Sequence, residues 1–237
     1  MNIILEMDYR DLSQFVIKEN LKIDLIVTDP PYDIPKINKG GSINNVKKLN
    51  KSLQDLQQSD LMNSYNIKDF AKTVSYLQKD NINAYFWCNK KQLPEYLQIY
   101  VTEMNCKFDI LPWHKTNALP TYSNKYLSDS EYCLYFRKGK GHCFPQNYED
   151  AKTYWIEPIN HKDKKDWEHP TIKPLHFIEK LIRNSSKEGE LVFDPFLGSG
   201  TTAVACKNLA RDFIGGDINK KWVNIAKERI KQNETTN

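Results

Sequence analysis

Leu191-Val192-Phe193-Asp194-Pro195-Phe196-Leu197-Gly198-Ser199-Gly200-Thr201-Thr202 begins as an apolar run and passes through two glycines into a helical pattern. Leu191–Phe193 reads as a short buried strand. Gly198 and Gly200 allow a tight turn and a close approach of backbone to a ligand. A helix over Thr202–Leu209 would then point free N–H groups at that turn. Phe213-Ile214-Gly215-Gly216-Asp217 follows as a second strand that ends on an acid. Strand, glycine turn, helix and acid-ended strand make half of a doubly wound α/β sheet, and the closing carboxylate can accept the hydroxyls of a ribose. The stretch predicts an adenosine-type cofactor. It contains neither the dinucleotide pattern G-x-G-x-x-G nor a phosphate-binding G-x-x-x-x-G-K-[ST].

A second strand-and-turn lies far upstream, in Asp24-Leu25-Ile26-Val27-Thr28-Asp29-Pro30-Pro31-Tyr32. The continuous apolar run suits a strand covered on both faces. Pro30 and Pro31 end it, because neither can donate to a ladder. A carboxylate followed by a stiff turn and an aromatic ring is a preorganised acceptor site.

The remaining pattern alternates strands and helices. Strands are expected at Asn2–Leu5 and Ile82–Cys88, and helices at Leu12–Asn20, Ile67–Lys79, Gln92–Glu103 and Lys220–Gln232. A further helix follows Pro174, with Leu175, Ile178, Leu181 and Ile182 on one face. Cys106–Trp113 and Glu131–Phe136 alternate more and suggest an antiparallel pair at the sheet edge. The class is α/β with a mainly parallel sheet. Two stretches interrupt it. Asp33–Asn66 is polar and too long for an ordinary connection, with Leu49, Leu53 and Leu56 suggesting a short helix inside. Lys138–Glu168 is charged and irregular.

Composition narrows the class of protein. Apolar residues make up 40% of 237, enough for a core, and no run reaches the roughly 18 apolar residues of a membrane span. The N-terminus lacks a basic start and a small-residue cleavage site, so a cytoplasmic protein is expected. The five cysteines are scattered without a C-x-x-C pair, which fits reduced thiols and gives no zinc spacing. No metal site is expected. A net charge of +4 does not by itself argue for nucleic acid. Locally, Lys36, Lys39, Lys47, Lys48 and Lys51 fall in a stretch without an acid, which suits either a solvated loop or one that tracks phosphates.

The two motifs together resemble those of the DNA amino-methyltransferases: D-P-P-Y at Asp29–Tyr32, and D-P-F-x-G-S-G-T-T at Asp194–Thr202. The catalytic motif precedes the cofactor motif, as in the beta class, a circular permutation of the usual order. The resemblance extends to His169-Pro170-Thr171-Ile172-Lys173-Pro174, similar to the family's H-P-T-x-K-P element, and more weakly to Trp113-His114-Lys115 and Glu131–Gly139. It spans residues 1–33, about 80–138 and 168–232.

This resemblance implies a Rossmann-like S-adenosylmethionine-dependent methyltransferase fold in one domain, 1–237. A variable loop falls at about 34–66 and a short target-recognition insert at about 139–167. It implies S-adenosyl-L-methionine as cofactor, held by Asp8, Thr171, Lys173, Asp194, Pro195, Phe196, Gly198, Ser199, Gly200, Thr201, Thr202 and Asp217. Within that set, Asp8 is expected beside the adenine and Lys173 along the methionine end. Asp29, Pro30, Pro31 and Tyr32 are implied as catalytic. The exocyclic amine of a base is a poor nucleophile because its lone pair is delocalised into the ring. Acceptors on both N–H bonds, the Asp29 carboxylate and the Pro30 carbonyl, push it towards tetrahedral geometry, and Tyr32 offers a face to a flipped base.

The implied substrate is double-stranded DNA, with adenine N6 favoured because the family's cytosine members more often carry Ser at the position of Asp29. N4 of cytosine, an RNA or protein amide, and a non-catalytic DNA-binding module are the alternatives. The short insert, with Lys138, Lys140, Lys152, Lys162, Lys164 and Lys165 among Tyr148, Tyr154 and Trp155, implies a short recognition site or help from a second copy in a homodimer. A restriction endonuclease counterpart is the further partner that the resemblance suggests.

Overall fold

The computed structural model describes residues 1–32, 65–118, 124–159, 161–167 and 171–236. The expected variable loop lies outside the described residues as far as position 64, with its lysine run, as do His169 and Pro170.

Among the described residues, eight strands form one sheet: β1 (Asn2–Glu6), β2 (Leu25–Thr28), β3 (Asn83–Cys88), β4 (Lys107–Lys115), β5 (Ser130–Arg137), β6 (Trp155–Glu157), β7 (Leu191–Asp194) and β8 (Asp212–Asp217). Their spatial order is β1-β8-β7-β2-β3-β5-β4-β6. Neighbours are parallel throughout, except that β5 runs antiparallel to both β3 and β4. The helices are α1 (Tyr9–Lys18), α2 (Ile67–Gln78), α3 (Leu93–Leu97, continued by a π turn at Gln98–Glu103), α4 (Tyr148–Ala151), α5 (His161–Asp166), α6 (Leu175–Ser185), α7 (Thr201–Asn208) and α8 (Lys220–Thr236).

Both faces of the central strands are covered, which is why those strands read as unbroken apolar runs. Ile26, Phe86, Phe193 and Ile214 pack against Leu12 and Val16 of α1, Phe70 and Val74 of α2, and Tyr96 of α3. Their chain neighbours Leu25, Val27, Tyr85, Trp87, Val192 and Phe213 face the other way. They meet Phe177, Ile178 and Leu181 of α6, Ala203 of α7 and Ala226 of α8. Period-two alternation thus divides each strand between two helical layers.

Three sequence expectations change. The first expected helix starts earlier, at Tyr9, because the Asp8 carboxylate accepts the Arg10 N–H (2.8 Å) as an N-cap. The antiparallel edge is present as expected, but it carries one further strand: β6 lies outside β4, parallel to it and tied by Trp113 Nε1 donating to the Glu157 carbonyl (3.0 Å). The stretch read as irregular is anchored on α6. Lys180 Nζ donates to the carbonyls of Glu149 (3.0 Å) and Lys152 (2.6 Å), and Asn184 Nδ2 to that of Asp150 (2.9 Å). A three-residue strand and a one-turn helix are too short to show periodicity, and the donors that hold them lie far away in sequence. No helix among the described residues is long and apolar enough to cross a membrane.

The sheet positions the site. From β7 the chain moves to β8 on one side, and from β2 to β3 on the other. Strand order therefore reverses between β7 and β2, and a crevice opens at their carboxyl ends.

Candidate active site

That crevice is a cleft open to solvent. Asp29, Pro30, Pro31 and Tyr32 line it from the end of β2. Asp194, Phe196, Gly198, Ser199, Thr201, Thr202 and Asp217 line it from β7, α7 and β8, and Thr171 and Lys173 from the approach to α6. Residues from four separate parts of the chain therefore share one cavity.

Three expected ligand residues lie outside that lining. Asp8 caps α1. Pro195 is in the turn. Gly200, at φ +86°, faces α8: a Cβ there would come within 2.8 Å of Ala226 Cβ. Its lack of a side chain serves helix packing.

The glycine loop after β7 is held from several sides. Asp194 Oδ1 accepts Thr28 Oγ1 from the neighbouring strand (2.6 Å) and the Phe196 N–H (3.2 Å). Burial pushes its carboxyl up to about 7, against a hydrogen bond from Thr202 and those from Thr28 and Phe196. Asp217 accepts the Gly198 N–H (3.1 Å) and the Asn219 N–H (2.8 Å), while burial raises its pKa. Behind the loop, buried Arg229 of α8 donates through Nη1 to Ser199 O (3.0 Å), Ser199 Oγ (3.2 Å) and Thr201 Oγ1 (3.1 Å). Its guanidinium also lies over the Trp167 ring, 5.0 Å from the centroid.

The Asp29–Tyr32 turn is fixed differently. Gln92 Nε2, at the start of α3, donates to the Pro31 carbonyl (2.9 Å). Lys173 Nζ donates to Asp29 Oδ2 (2.5 Å), whereas Asp29 Oδ1 is buried and takes no hydrogen bond among the described residues. A second carboxylate joins them. Glu131 Oε2 lies 3.2 Å from Lys173 Nζ and accepts the Tyr32 hydroxyl (3.3 Å), while Glu131 Oε1 pairs with Lys115 Nζ. The Lys173 ammonium also sits 5.2 Å from the ring centroid of Tyr32 and 5.1 Å from that of Trp87. Burial raises the Asp29 carboxyl, Lys173 opposes this, and Glu131 adds to it. Burial acts to raise Glu131 too, but Lys173 and Lys115 together hold it at about 2.

Lys115, Glu131 and Trp87 were not among the residues expected from sequence. β5 explains Glu131. Because this strand alone is reversed, its first residues lie at the carboxyl ends of its parallel neighbours, level with Asp29. An acid at the head of the apolar run Tyr132–Phe136 was the available signal.

The model of a DNA methylase family matches residues 23–228. The type II methyltransferase M2.DpnII of Streptococcus pneumoniae is 32% identical over 237 residues, covering 91% of this chain and 85% of that protein. M2.LlaDCHI of Lactococcus lactis subsp. cremoris, also a type II methyltransferase, is 33% identical over 246 residues, covering 93% of this chain and 88% of its own length. Among solved structures, that of the M1.HpyAVI–SAM complex superposes with a TM-score of 0.71 at 25% identity, over 97% of this chain and 100% of that one.

Proposed function

The chain belongs to this DNA methylase family, and on that premise we propose that Asp29, Pro30 and Tyr32 present the exocyclic N6 amine of a flipped adenine, in duplex DNA, for methylation. The enzyme is a DNA methyltransferase that uses S-adenosylmethionine. The residues lining the cleft fit that cofactor. Asp194 and Asp217 are carboxylates at adjacent strand ends, suited to its ammonium and ribose hydroxyls, beside the apolar side chains of Phe196, Leu197 and Ile172. When bound, the cofactor supplies a methyl carbon on a positively charged sulfur.

One observation carries the assignment to Asp29. Its two oxygens are unequal: Lys173 occupies Oδ2, and Oδ1 is buried without a donor. Such an oxygen is costly to leave unpaired, and an amine N–H is the donor that would satisfy it. The Pro30 carbonyl is the second acceptor, on a turn that Gln92 stiffens. With both N–H bonds held, the nitrogen lone pair would be freed to attack the methyl carbon that the bound cofactor would supply, and Asp29 would take the proton that the nitrogen sheds. Aspartate rather than serine at position 29 favours adenine.

The type II relatives support a setting beside a restriction endonuclease that acts on the same DNA site. The short insert supports a second copy completing the grip on DNA. Buried free thiols at Cys88, Cys106, Cys133 and Cys206 fit a reducing cytoplasm.

The test is to incubate unmethylated duplex DNA with methyl-labelled cofactor, digest it, and separate the nucleosides. Label is expected in N6-methyladenine. Asp29→Ala should abolish transfer and leave calorimetric cofactor affinity nearly intact. Label in N4-methylcytosine would overturn the choice of base, and label in RNA alone would overturn duplex DNA as the substrate.

A further inference from the structure

Lys115, Glu131, Lys173 and Asp29 form an alternating line of charges that ends on the catalytic turn. Lys115 meets Glu131 Oε1, Glu131 Oε2 meets Lys173 Nζ at 3.2 Å, and Lys173 Nζ meets Asp29 Oδ2 at 2.5 Å. Lys173 is the most enclosed of the four, its side chain 5% exposed. Buried ion pairs are a weak source of stability, because desolvation cancels much of the attraction. A line of four that reaches the reacting carboxylate therefore calls for another role. The resemblance placed Lys173 along the methionine end of the cofactor, whereas its ammonium is committed to two carboxylates and two aromatic rings.

We propose that Lys173 and Glu131 are positioning residues for methyl transfer: Glu131 holds Lys173 against Oδ2 of Asp29, which leaves Oδ1 as the one oxygen open to the amine. Resting on the reading of Asp29 above, this adds two residues to the machinery. Free rotation of Asp29 would let either oxygen, or neither, face the base. The Lys173 contact removes that freedom, and Glu131 fixes Lys173 in turn. Lys115, on the neighbouring strand β4, balances the charge of Glu131 so that the line is neutral as a whole.

The arrangement has a pH signature that a purely structural ion pair would lack. Asp29 is faced by Lys173 from the approach to α6, Glu131 from β5, Tyr32 from its own turn, Cys88 from β3, Cys133 from β5 and Asp194 from β7. Of these, Glu131 raises its affinity for a proton and Lys173 lowers it. Asp29 must be ionised to accept the amine, so its titration sets the acid limb of kcat. Removing the charge of Glu131 should move that limb to lower pH. Removing Lys173 should move it to higher pH.

The experiment measures kcat against pH, together with calorimetric cofactor affinity, for the full chain and for Glu131→Gln, Glu131→Asp and Lys173→Met, each checked for folding by circular dichroism. Glu131→Gln should lower kcat by about ten- to a hundredfold, the size expected for losing a charged hydrogen bond, without weakening the cofactor. Its acid limb should move down, and that of Lys173→Met up. Glu131→Asp should keep the parent limb and recover part of kcat. A folded Glu131→Gln with the parent's kcat, or limbs that stay in place, overturns the proposal. Where Glu131→Gln does not fold, Lys173→Met decides. Retained cofactor affinity with a raised limb, or with no transfer left, supports the positioning role, whereas a selective loss of cofactor affinity refutes it. A parent that methylates DNA beside a normal Glu131→Gln sinks this inference alone. A parent that methylates no DNA base sinks the underlying reading, and this one with it.

Discussion

Two acids, Asp29 and Asp194, face one cleft under opposite constraints. Asp29 is paired with a cation on one oxygen, whereas Asp194 has neutral donors, the Thr202 and Thr28 hydroxyls and the Phe196 N–H, to offset its burial. The Asp194 carboxyl, ordinarily near 3.8, accordingly titrates at about 7. The folded state binds its proton more tightly than the unfolded chain does. Its contribution to stability is therefore full below 3.8 and lost as pH rises through about 7. Asp194→Asn keeps an oxygen for Thr28 and Phe196 and removes the charge. Without ligand, it should melt higher than the parent above about pH 7, with the gap closing towards 3.8. The same variant should bind the cofactor more weakly, since it gives up a carboxylate in the cleft. Thermal melts across that window, with calorimetry above it, check both parts. A gap that does not change with pH refutes the account.

At the scale of elements, the glycine loop after β7 is an assembly of three parts rather than a free turn. β8 supplies Asp217 to the Gly198 N–H, α8 supplies Arg229 to Ser199 and Thr201, and the segment after α5 lays Trp167 against Arg229. Arg229→Met keeps much of the side chain's bulk but strands the buried Ser199 carbonyl. Loss of such a charged donor costs about 1–3 kcal/mol, so cofactor affinity should fall about tenfold or more. At saturating cofactor, kcat should change little, because the Asp29–Lys173 contact lies elsewhere in the cleft. A variant with normal affinity and reduced kcat would show that Arg229 acts on the chemistry instead. The segment around α4 is likewise built on α6, through Lys180 and Asn184. Lys180 is buried, and its ammonium lies 5.3 Å from the Trp155 ring centroid. None of these anchors is adjacent in sequence to what it holds.

For the whole molecule, the modest net charge of +4 means that grip on DNA depends on where its cations sit. The acid-free run Lys36–Lys51 is the densest such group noted in the sequence. Deleting residues 36–51 should weaken DNA binding and flatten its salt dependence, by about one in slope for each phosphate that the lysines had neutralised. Cofactor affinity should stay as it was. Binding titrations across a salt series measure this, and identical slopes before and after deletion would show that the run does not touch phosphate.

The motifs, their order and the parallel centre of the sheet were legible in the chain itself. They depend on local physics: a buried strand must be apolar, a turn at a strand end needs glycine or proline, and a helix N-terminus follows. Those constraints act over a few residues, so Asp24–Tyr32 and Leu191–Asp217 disclosed both halves of the cleft. Tertiary structure alone decided what stands between the halves. The reversal of β5 brings Glu131 beside Asp29, and pairing of β2 with β7 sets Thr28 on Asp194. Edge strand β6 exists because Trp155 finds a buried place against Phe177 and Trp87. Such contacts join residues with no local relation, and their free energy comes from burial and charge pairing that exist only once the sheet has formed. The two halves of the cleft were thus legible in the motifs, while the line of charges that ends on Asp29 appears only in the fold.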